Sequence, residues 1–213
     1  LDKEFIKVEK LRSISVSHPD QTHSWALTRE TETGPWTLVA PAEGEKLDNS
    51  KTSSLNYALS NPLFDDVASP DTSTETTGLD QPVVARLETF EGFNYIVKIG
   101  RPTADDKYHL SVQVEGTYPL ERTPPADESA DDKERLDREF KEALAKLDEK
   151  LTREQSKGRW VYLVSKWTVD SLLKTRADFL DTKSETETSA PADSAPAELE
   201  DSNADSIVPT LFE

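Results

Sequence analysis

The stretch from Thr77 to Gly100 constrains the fold of this chain more than any other segment. A turn signal at Gly78 opens a run of β-branched and aromatic residues, a second turn follows at Glu91-Gly92, and a second such run ends at Gly100. Two runs of this kind joined by a short turn that contains glycine predict a β-hairpin. The segment holds no nucleophile, metal-ligand cluster or phosphate-binding loop, so it predicts architecture rather than chemistry.

Short alternating runs on both sides of this hairpin predict more antiparallel sheet. Before the hairpin, strands are expected at 11–18, 25–28 and 36–39, and after it at 108–118. Turn signals separate these runs at intervals typical of a meander. A further run, 160–164, is apolar on both faces and is expected to be a central strand. Because hairpin-spaced strands dominate, the predicted class is α+β and not a doubly wound parallel sheet.

Two shorter helices are predicted around these strands. The first is capped by Asp48 or Ser50 and stopped by Pro62. The second follows the 160–164 run and is capped by Thr168. Between the first helix and the central hairpin, the Asp-, Ser- and Thr-rich segment 65–77 is expected to be an exposed loop.

The clearest helix covers about 131–155. Its apolar residues recur on one face, and its other faces are almost wholly charged. Two interpretations of this amphipathic helix stay open. Its apolar stripe packs on the protein's own sheet, or the helix projects as an arm that pairs with a partner helix or with a second copy of the chain. The stripe consists of Leu136, Phe140, Leu144, Leu147 and Leu151.

Composition excludes several classes of function. The formal net charge of −17 disfavours nucleic acid and anionic lipid surfaces, since both require a basic face. The chain has no Cys, so it has no disulfide, thiolate site or iron–sulfur cluster. Residues 183–206 are predicted to be an acidic disordered tail or linker. Residues 207–213 are apolar again, and they either dock onto the body of the protein or mark the place where a longer protein was cut.

Two parts of the chain look alike and predict its organisation. Gly34-Pro-Trp36 leads through a strand into a helix, and Gly158-Arg-Trp160 does the same. We therefore predict two β-meander-plus-helix units, about 10–64 and 78–182, forming antiparallel sheet or sheets covered by helices. The long helix is inserted into the second unit. Together the units make one α+β domain over 1–182.

The order of these features resembles the bacterial domain of unknown function 4340 family. The resemblance runs through Gly78-Leu-Asp-x-Pro82, the strand that ends at Ile99-Gly100, and Val161-Tyr-Leu-Val-Ser165. Members of that family are typically envelope proteins with an N-terminal membrane anchor, and some accompany gliding-motility-type or other ABC transport systems. The resemblance implies an extracytoplasmic, non-catalytic accessory role and supplies no catalytic residues.

Histidines and loop carboxylates are the first candidates for chemistry. His18 and His23, with Asp20 between them, contain the ligand types of a transition-metal site, but a polar hairpin loop explains them more simply. His109 is alone in a predicted strand. The pairs Asp65-Asp66 and Asp105-Asp106 suggest acid/base catalysis or calcium binding, although loop aspartates usually serve turns and caps. We therefore predict no catalytic, cofactor-binding or metal-binding residues.

Aromatic residues offer another kind of site. Trp36 and Trp160 occupy equivalent places in the proposed repeat and are expected in the core. Trp167 is expected to be the most exposed tryptophan. If Trp167, Tyr95 or Tyr108 lined a groove on a sheet face, they would suit a glycan or a peptide.

The predicted function is a non-catalytic interaction module of a bacterial envelope, an accessory component of an ABC-transport-type complex. It is expected in the periplasm or at the cell surface, held by an N-terminal segment that precedes Leu1, and its partner is expected to be a protein. No window approaches the ~18 apolar residues of a membrane-spanning helix. The alternatives are a glycan- or peptide-binding surface protein and, more remotely, a carboxylate-based hydrolase. No cofactor is predicted.

Overall fold

The computed structural model describes residues 5–69 and 71–181. The chain divides into two units, Leu1–Asp181 and Thr182–Glu213, and every described residue belongs to the first. The predictions for the acidic segment 183–206 and for the docking of 207–213 lie outside the described residues.

The described residues form an α+β fold built on one antiparallel sheet of eight strands. The spatial order of the strands is β3-β2-β1-β5-β6-β7-β8-β4, so the central pairing joins the two predicted meanders through β1 and β5. The strands are β1 (Leu11–Ser17), β2 (Trp25–Thr28), β3 (Thr37–Leu38), β4 (Asp66–Val67), β5 (Val83–Thr89), β6 (Phe93–Pro102), β7 (Lys107–Gly116) and β8 (Val161–Ser165).

The predicted central hairpin is confirmed. β5 and β6 pair in antiparallel register from Val83 opposite Ile99 to Glu88 opposite Asn94. The turn between them contains Gly92, whose φ of 88° lies in the left-handed region that glycine adopts without a Cβ clash. The hairpin signal was strong because strand pattern and turn chemistry agreed.

One face of the sheet is buried and the other faces solvent, as the two-residue alternation predicted. Residues that stand opposite each other in the register share the buried face, for example Leu87 and Tyr95, then Tyr95 and Val114. Ile14 and Val16 of β1 also point inward. A sheet with a single buried face needs a covering layer on that face alone.

The strand predictions fail at the far edge of the sheet. The 160–164 run forms β8, which starts at Val161 and is not central. It pairs with β7 on one side and, on the other, only with the two-residue edge strand β4. β4 lies in the segment 65–77, which was wrongly predicted to be loop throughout. Two residues of strand carry too little pattern for a sequence to reveal them.

The helices are α1 (Thr74–Thr77), α2 (Ala130–Gln155), α3 (Lys166–Leu173) and α4 (Arg176–Phe179), together with two 3₁₀ helices, Gln21–His23 and Asn49–Tyr57. α2 confirms the predicted long helix, and its first residue differs by one from the prediction. The helix expected after Asp48 is 3₁₀ rather than α, although Asp48 caps it as predicted. The last predicted helix is two short ones, and its N-cap residue is Ser165 rather than Thr168.

The N-terminal segment completes the core in a way that the sequence did not predict. Phe5, Ile6 and Val8 are buried, and the ring of Phe5 stacks on that of Tyr162 with centroids 4.4 Å apart. The backbone N–H of Val8 donates to the carbonyl of Leu59. This segment therefore lies along the buried face rather than outside it.

The two glycine signals of the family resemblance meet in space. Gly78 caps α1 with a φ of 73°, and Gly100 lies in β6 beside it. A Cβ on Gly100 would stand 1.9 Å from the carbonyl oxygen of Thr77, and a Cβ on Gly78 would stand 2.2 Å from the backbone nitrogen of Arg101. Glycine at both positions therefore permits a close contact between α1 and the sheet.

Candidate functional site

The C-terminal end of α2 is anchored to the buried face of the sheet by Glu154. This carboxylate is 1% exposed. Its Oε1 accepts a hydrogen bond from the backbone N–H of Lys7 at 3.1 Å, and its Oε2 accepts one from the Tyr95 hydroxyl at 2.8 Å. One side chain thus ties the helix to the N-terminal segment and to β6.

Charged neighbours surround this anchor. Lys150, one turn earlier on α2, places its Nζ 4.8 Å from the centroid of the Phe93 ring, an arrangement typical of a cation–π contact. The same Nζ lies 3.5 Å from a carboxylate oxygen of Glu9 and 3.8 Å from one of Glu91. The end of α2 is therefore held by charges as well as by packing.

Burial sets the protonation behaviour of the anchor. Desolvation raises the pKa of Glu154, although the Tyr95 hydroxyl, the Lys150 charge and the Lys7 N–H act in the opposite direction. Desolvation and the Glu154 carboxylate both raise the pKa of Tyr95, so its hydroxyl stays a donor.

The N-terminal turns of α2 make no comparable contacts with the sheet. Leu147 and Leu151 pack against the hydrophobic core, but Leu136, Phe140 and Leu144 lie outside it and are only partly buried. The predicted apolar stripe is therefore divided along its length. Its inner end packs on the protein's own sheet, and its outer end remains a partly exposed apolar row.

Local interactions keep this outer end helical. Ser129 caps the first turn by accepting a hydrogen bond from the backbone N–H of Asp132. Arg122, in the connection before the helix, donates to both carboxylate oxygens of Glu128 and to Asp137 of α2 at 2.8 Å. These bonds hold the connection against the helix.

A shallow groove continues the apolar row toward the sheet. It has a volume of about 630 Å³ and is lined by the 116–120 segment and by Asp148 and Leu151 of α2. Leu120 at its rim is 71% exposed. The Tyr118 hydroxyl donates to Asp148 at 2.8 Å, and this bond together with burial raises the pKa of Tyr118 to about 12.

A second concave site lies at the opposite end of the sheet order, where the loop after β2 meets the 3₁₀ helix Asn49–Tyr57. This cleft of about 780 Å³ is lined by Arg29 and Trp36 among others. Arg29 is 7% exposed, its Nε donates to the carbonyl of Leu11 at 2.7 Å, and its guanidinium carbon lies 4.6 Å from the centroid of the Trp36 ring. Burial lowers the pKa of Arg29.

Two asparagines organise the wall of this cleft. The Oδ1 of Asn56 accepts hydrogen bonds from Nη1 of Arg29 at 3.0 Å and from the indole nitrogen of Trp36 at 3.1 Å. The Oδ1 of Asn49 accepts one from the backbone N–H of Trp36 at 3.1 Å. Since both amide oxygens are used within the protein, both amide nitrogens remain as donors for the cleft.

The structure does not assemble the histidines into a site. The rings of His18 and His23 lie 6.0 Å apart, edge to face, but the Nε2 of His18 is hydrogen-bonded to the Lys174 carbonyl oxygen and Asp20 accepts from the Thr22 backbone N–H. His109 lies in β7 opposite Leu163, and burial lowers its pKa. Across the described ranges, no group of three or more His, Asp or Glu residues could hold a metal ion.

The loop aspartates are exposed rather than gathered in a cleft. Asp65 pairs with Lys107 at 3.1 Å, and Asp106 pairs with Lys166 at 3.8 Å. Asp66 accepts a hydrogen bond from the backbone N–H next to it. Asp105 is exposed as well.

The tryptophan predictions are confirmed for two residues and wrong for one. Trp36 is buried and Trp167 is 87% exposed, as expected. Trp160 is 38% exposed because it precedes β8 in the turn after α2 and has no place on the buried face. Tyr95 and Tyr108 are buried, which leaves Trp167 as the exposed member of the proposed aromatic set.

Sequence reasoning missed Glu154 and Arg29, yet both carried a signal. Glu154 follows Leu151 by three residues and so continues the apolar stripe of α2. Arg29 follows Trp25 and Leu27 at two-residue spacing, on the face of β2 that is buried. A charged residue at a position where the pattern requires an apolar one is the mark of a buried polar contact.

Comparison of the chain with known protein families, with curated proteins and with solved structures finds no match. The resemblance to the domain of unknown function 4340 family, with the partner and location that it implies, therefore stays a prediction. In the part of the chain that the structure describes, no helix combines the length and the apolar character that crossing a membrane requires.

Proposed function

We propose that this protein is a non-catalytic interaction module that binds a protein partner through the outer half of α2. The single observation that carries the proposal is the divided stripe. Leu136, Phe140 and Leu144 form a partly exposed apolar row outside the core, on a helix whose other end is firmly anchored. An apolar row on a fixed helix suits a partner that presents an amphipathic helix.

Preorganisation supports this proposal. A helix that must form during binding loses conformational entropy at that moment, and a helix that is already ordered does not. α2 is capped by Ser129, braced by Arg122 and strengthened by the exposed ion pair between Arg135 and Glu139 at 3.0 Å. The outer half is thus ready to bind without rearrangement.

The groove beside Leu120 gives the partner a second contact area. It begins at Leu151, one turn beyond Leu147, so that it extends the apolar row of α2 toward the sheet. The helix flanks carry both Lys/Arg and Asp/Glu, so a partner helix with both signs of charge fits better than a purely basic or acidic one.

Site-specific photo-crosslinking in intact cells of the native host tests this proposal. A photoreactive amino acid replaces Phe140 in the full-length protein, and a matched variant carries it at Glu142, which is exposed on the opposite side of α2. We expect a discrete crosslinked protein from position 140 and none from 142, and we expect the substitution L144E to abolish it. Equal crosslinking from both positions, or none from 140 with the fold intact, would contradict the proposal.

We further propose that the protein is extracytoplasmic and serves an envelope complex of the ABC-transport type. The support is the family resemblance carried by Gly78 and Gly100, whose contact gives those signals a structural reason. Fractionation of cells that produce the full-length gene product measures this directly. Recovery with the envelope fraction and co-purification of a permease are expected, whereas clean isolation from the cytosol would contradict the location.

We also propose a finer description of the fold, as two β-meander-plus-helix units, and the support is the likeness between Gly34-Pro-Trp36 and Gly158-Arg-Trp160. β1 to β3 precede the 3₁₀ helix Asn49–Tyr57, and β5 to β8 precede α3, with α2 inserted before β8. Production of residues 78–182 alone tests whether this unit has its own core. We expect it to aggregate, because its edge strand β5 loses its β1 partner.

A second candidate function rests on Trp167. Trp167 is 87% exposed, and its indole ring offers an apolar face and an N–H donor to a sugar or a peptide. If Trp167 binds such a ligand, W167A abolishes binding to a glycan or peptide array while leaving the Phe140 crosslink unchanged. Loss of the crosslink in W167A would instead place Trp167 at the protein interface.

A further inference from the structure

We propose that the cleft between the loop after β2 and the 3₁₀ helix Asn49–Tyr57 binds a carboxylate group, with Arg29 as its charged donor. This site is separate from α2, and it adds a small-molecule or peptide-end binding activity to the proposed interaction role.

Within the described part of the chain, Arg29 has no ion-pair partner within 4.0 Å, although the charge of Glu32 acts on it at longer range. Arg29 as a whole residue is only 7% exposed, and a buried cation normally has a carboxylate partner. Among the described residues, no Asp or Glu oxygen lies within 4.0 Å of Arg29. Its two protein acceptors are the Leu11 carbonyl and the Asn56 amide oxygen, both neutral.

Arg29 also has donors left over. A guanidinium carries five N–H groups, and the two acceptors occupy two of them. The remaining N–H groups belong to the Nη atoms, and Arg29 is one of the residues that line the cleft. Two N–H groups on one planar edge match the two oxygens of a carboxylate.

The other polar groups of the cleft reinforce this donor character. The amide nitrogens of Asn49 and Asn56 are directed to donate, because their oxygens are bound to Trp36 and Arg29. The hydroxyl groups of Thr33 and Ser53 lie on the same lining. Glu32 is the one acidic side chain on it, is exposed, and makes no ion pair with Arg29 within 4.0 Å.

The charge of the site favours a carboxylate over a phosphate. Lys10, the other basic residue on the lining, already pairs with Glu91 at 2.9 Å. The Arg29 guanidinium makes no ion pair within 4.0 Å with any described residue, so one carboxylate matches its single charge, whereas a doubly charged phosphate would also be repelled by Glu32 on the lining. The exposed ring of Tyr57 at the rim can cover the apolar part of the ligand that carries the carboxylate.

NMR titration of the full chain tests the proposal. The signals to follow are the Trp36 indole N–H and the side-chain amides of Asn49 and Asn56. The probes are acetate, the peptide acetyl-Ala-Ala-Ala with a free carboxyl end, the same peptide with an amide end, and inorganic phosphate. We expect saturable shifts with acetate and with the acid peptide, in the millimolar range or tighter, and none with the amide peptide.

Comparison of the acid peptide with acetate distinguishes a peptide end from a free organic acid as the source of the carboxylate. Either of these two results supports a carboxylate site. Binding of the acid peptide at least tenfold tighter than acetate assigns a peptide end, and equal binding assigns a free organic acid. The proposal is overturned if neither carboxylate gives saturable shifts, if the amide peptide binds as well as the acid, or if phosphate binds tenfold more tightly than acetate.

The decisive variant is N56D, with N61D as its matched control. N56D keeps an oxygen acceptor for Arg29 and Trp36 but places a negative charge beside the guanidinium, where it acts as a built-in competitor. N61D introduces the same charge at an exposed position outside the cleft. We expect N56D to retain the fold and lose carboxylate binding at least tenfold, and N61D to bind as the parent does. Equal binding by both variants would overturn the assignment.

Discussion

The two ends of α2 differ in how they contact the rest of the fold. At the inner end, Glu154 is buried and bonded to Lys7 and Tyr95, and Leu151 packs on the core. At the outer end, Phe140 and Leu144 are partly exposed and outside the core. The sequence stripe is continuous, so what separates the ends is where the sheet stops supporting the helix.

The largest difference between the ends is expected from E154A. Removal of this carboxylate leaves the Lys7 N–H without its acceptor and leaves the buried Tyr95 hydroxyl with only the Lys7 carbonyl oxygen, at 3.3 Å. We expect a loss of about 2–4 kcal/mol in the free energy of unfolding, because unsatisfied buried polar groups add to the cavity. Urea denaturation measures it. E149A, at an exposed position of the same helix, is the control and is expected to change little.

Truncation of the apolar stripe should give unequal effects along α2. L151A removes a side chain that packs against the core, and we expect it to cost about 2 kcal/mol of unfolding free energy. L144A removes one that lies outside the core, and about 0.5 kcal/mol is expected. Equal losses in denaturation experiments would mean that the outer end is supported as firmly as the inner one.

The hydroxyl of Tyr95 should contribute less than the carboxylate that it contacts. Y95F keeps the buried ring and removes the 2.8 Å hydrogen bond to Glu154 together with a longer one, at 3.3 Å, to the Lys7 carbonyl oxygen. A hydrogen bond to a charged group contributes about 1.5 kcal/mol, and a loss of this size is expected by urea denaturation. The Tyr118 hydroxyl, which bonds to exposed Asp148, provides the comparison, and Y118F is expected to lose less.

The smallest expected effect is the pH dependence that Glu154 contributes at the inner end. The pKa of Glu154 is raised from 4.5 by burial, so the protonated form favours the folded state. Its contribution to stability is complete below its unfolded-state pKa and is lost as pH rises through the higher folded-state value. Lys150, Arg153 and the Tyr95 hydroxyl face the carboxylate and limit the shift.

The measurement is the difference in unfolding free energy between the parent and E154Q as a function of pH. Subtraction removes the titration of all groups that the two proteins share. We expect the unfolding free energy of the parent, relative to that of E154Q, to fall as pH rises above about 4.5, with a slope of at most about 1.4 kcal/mol per pH unit. If the unfolding free energy of the parent instead rises relative to that of E154Q over this range, the surroundings stabilise the carboxylate rather than destabilise it.

The sequence predicted those parts of the fold in which local pattern and final environment agree. The β5–β6 hairpin and α2 were predicted because strand alternation, a glycine turn and a helical stripe each repeat over many residues. β4 was not predicted, because two residues of strand leave no periodic signal. The helix after Asp48 was predicted, but its 3₁₀ type was not, because a tight helix without a clear apolar face does not reveal its type in the sequence.

The candidate sites were harder to predict, for a physical reason. Glu154 and Arg29 occupy positions where the pattern requires an apolar residue, and their partners are distant in sequence. Lys7 lies 147 residues before Glu154, and the Leu11 carbonyl lies 18 residues before Arg29. Only tertiary structure brings these groups together. The signal available in the sequence was a charged residue at a position where the apolar pattern continues.

Hydrogen–deuterium exchange of the backbone amides along α2 tests the central claim most directly. If the helix packs on the sheet at one end and is held only by local contacts at the other, the amides from 147 to 155 should exchange far more slowly than those from 133 to 143. L144E should leave this gradient intact, and E154A should erase it. Uniform protection along the whole helix, or slower exchange at its N-terminal end, would contradict the account.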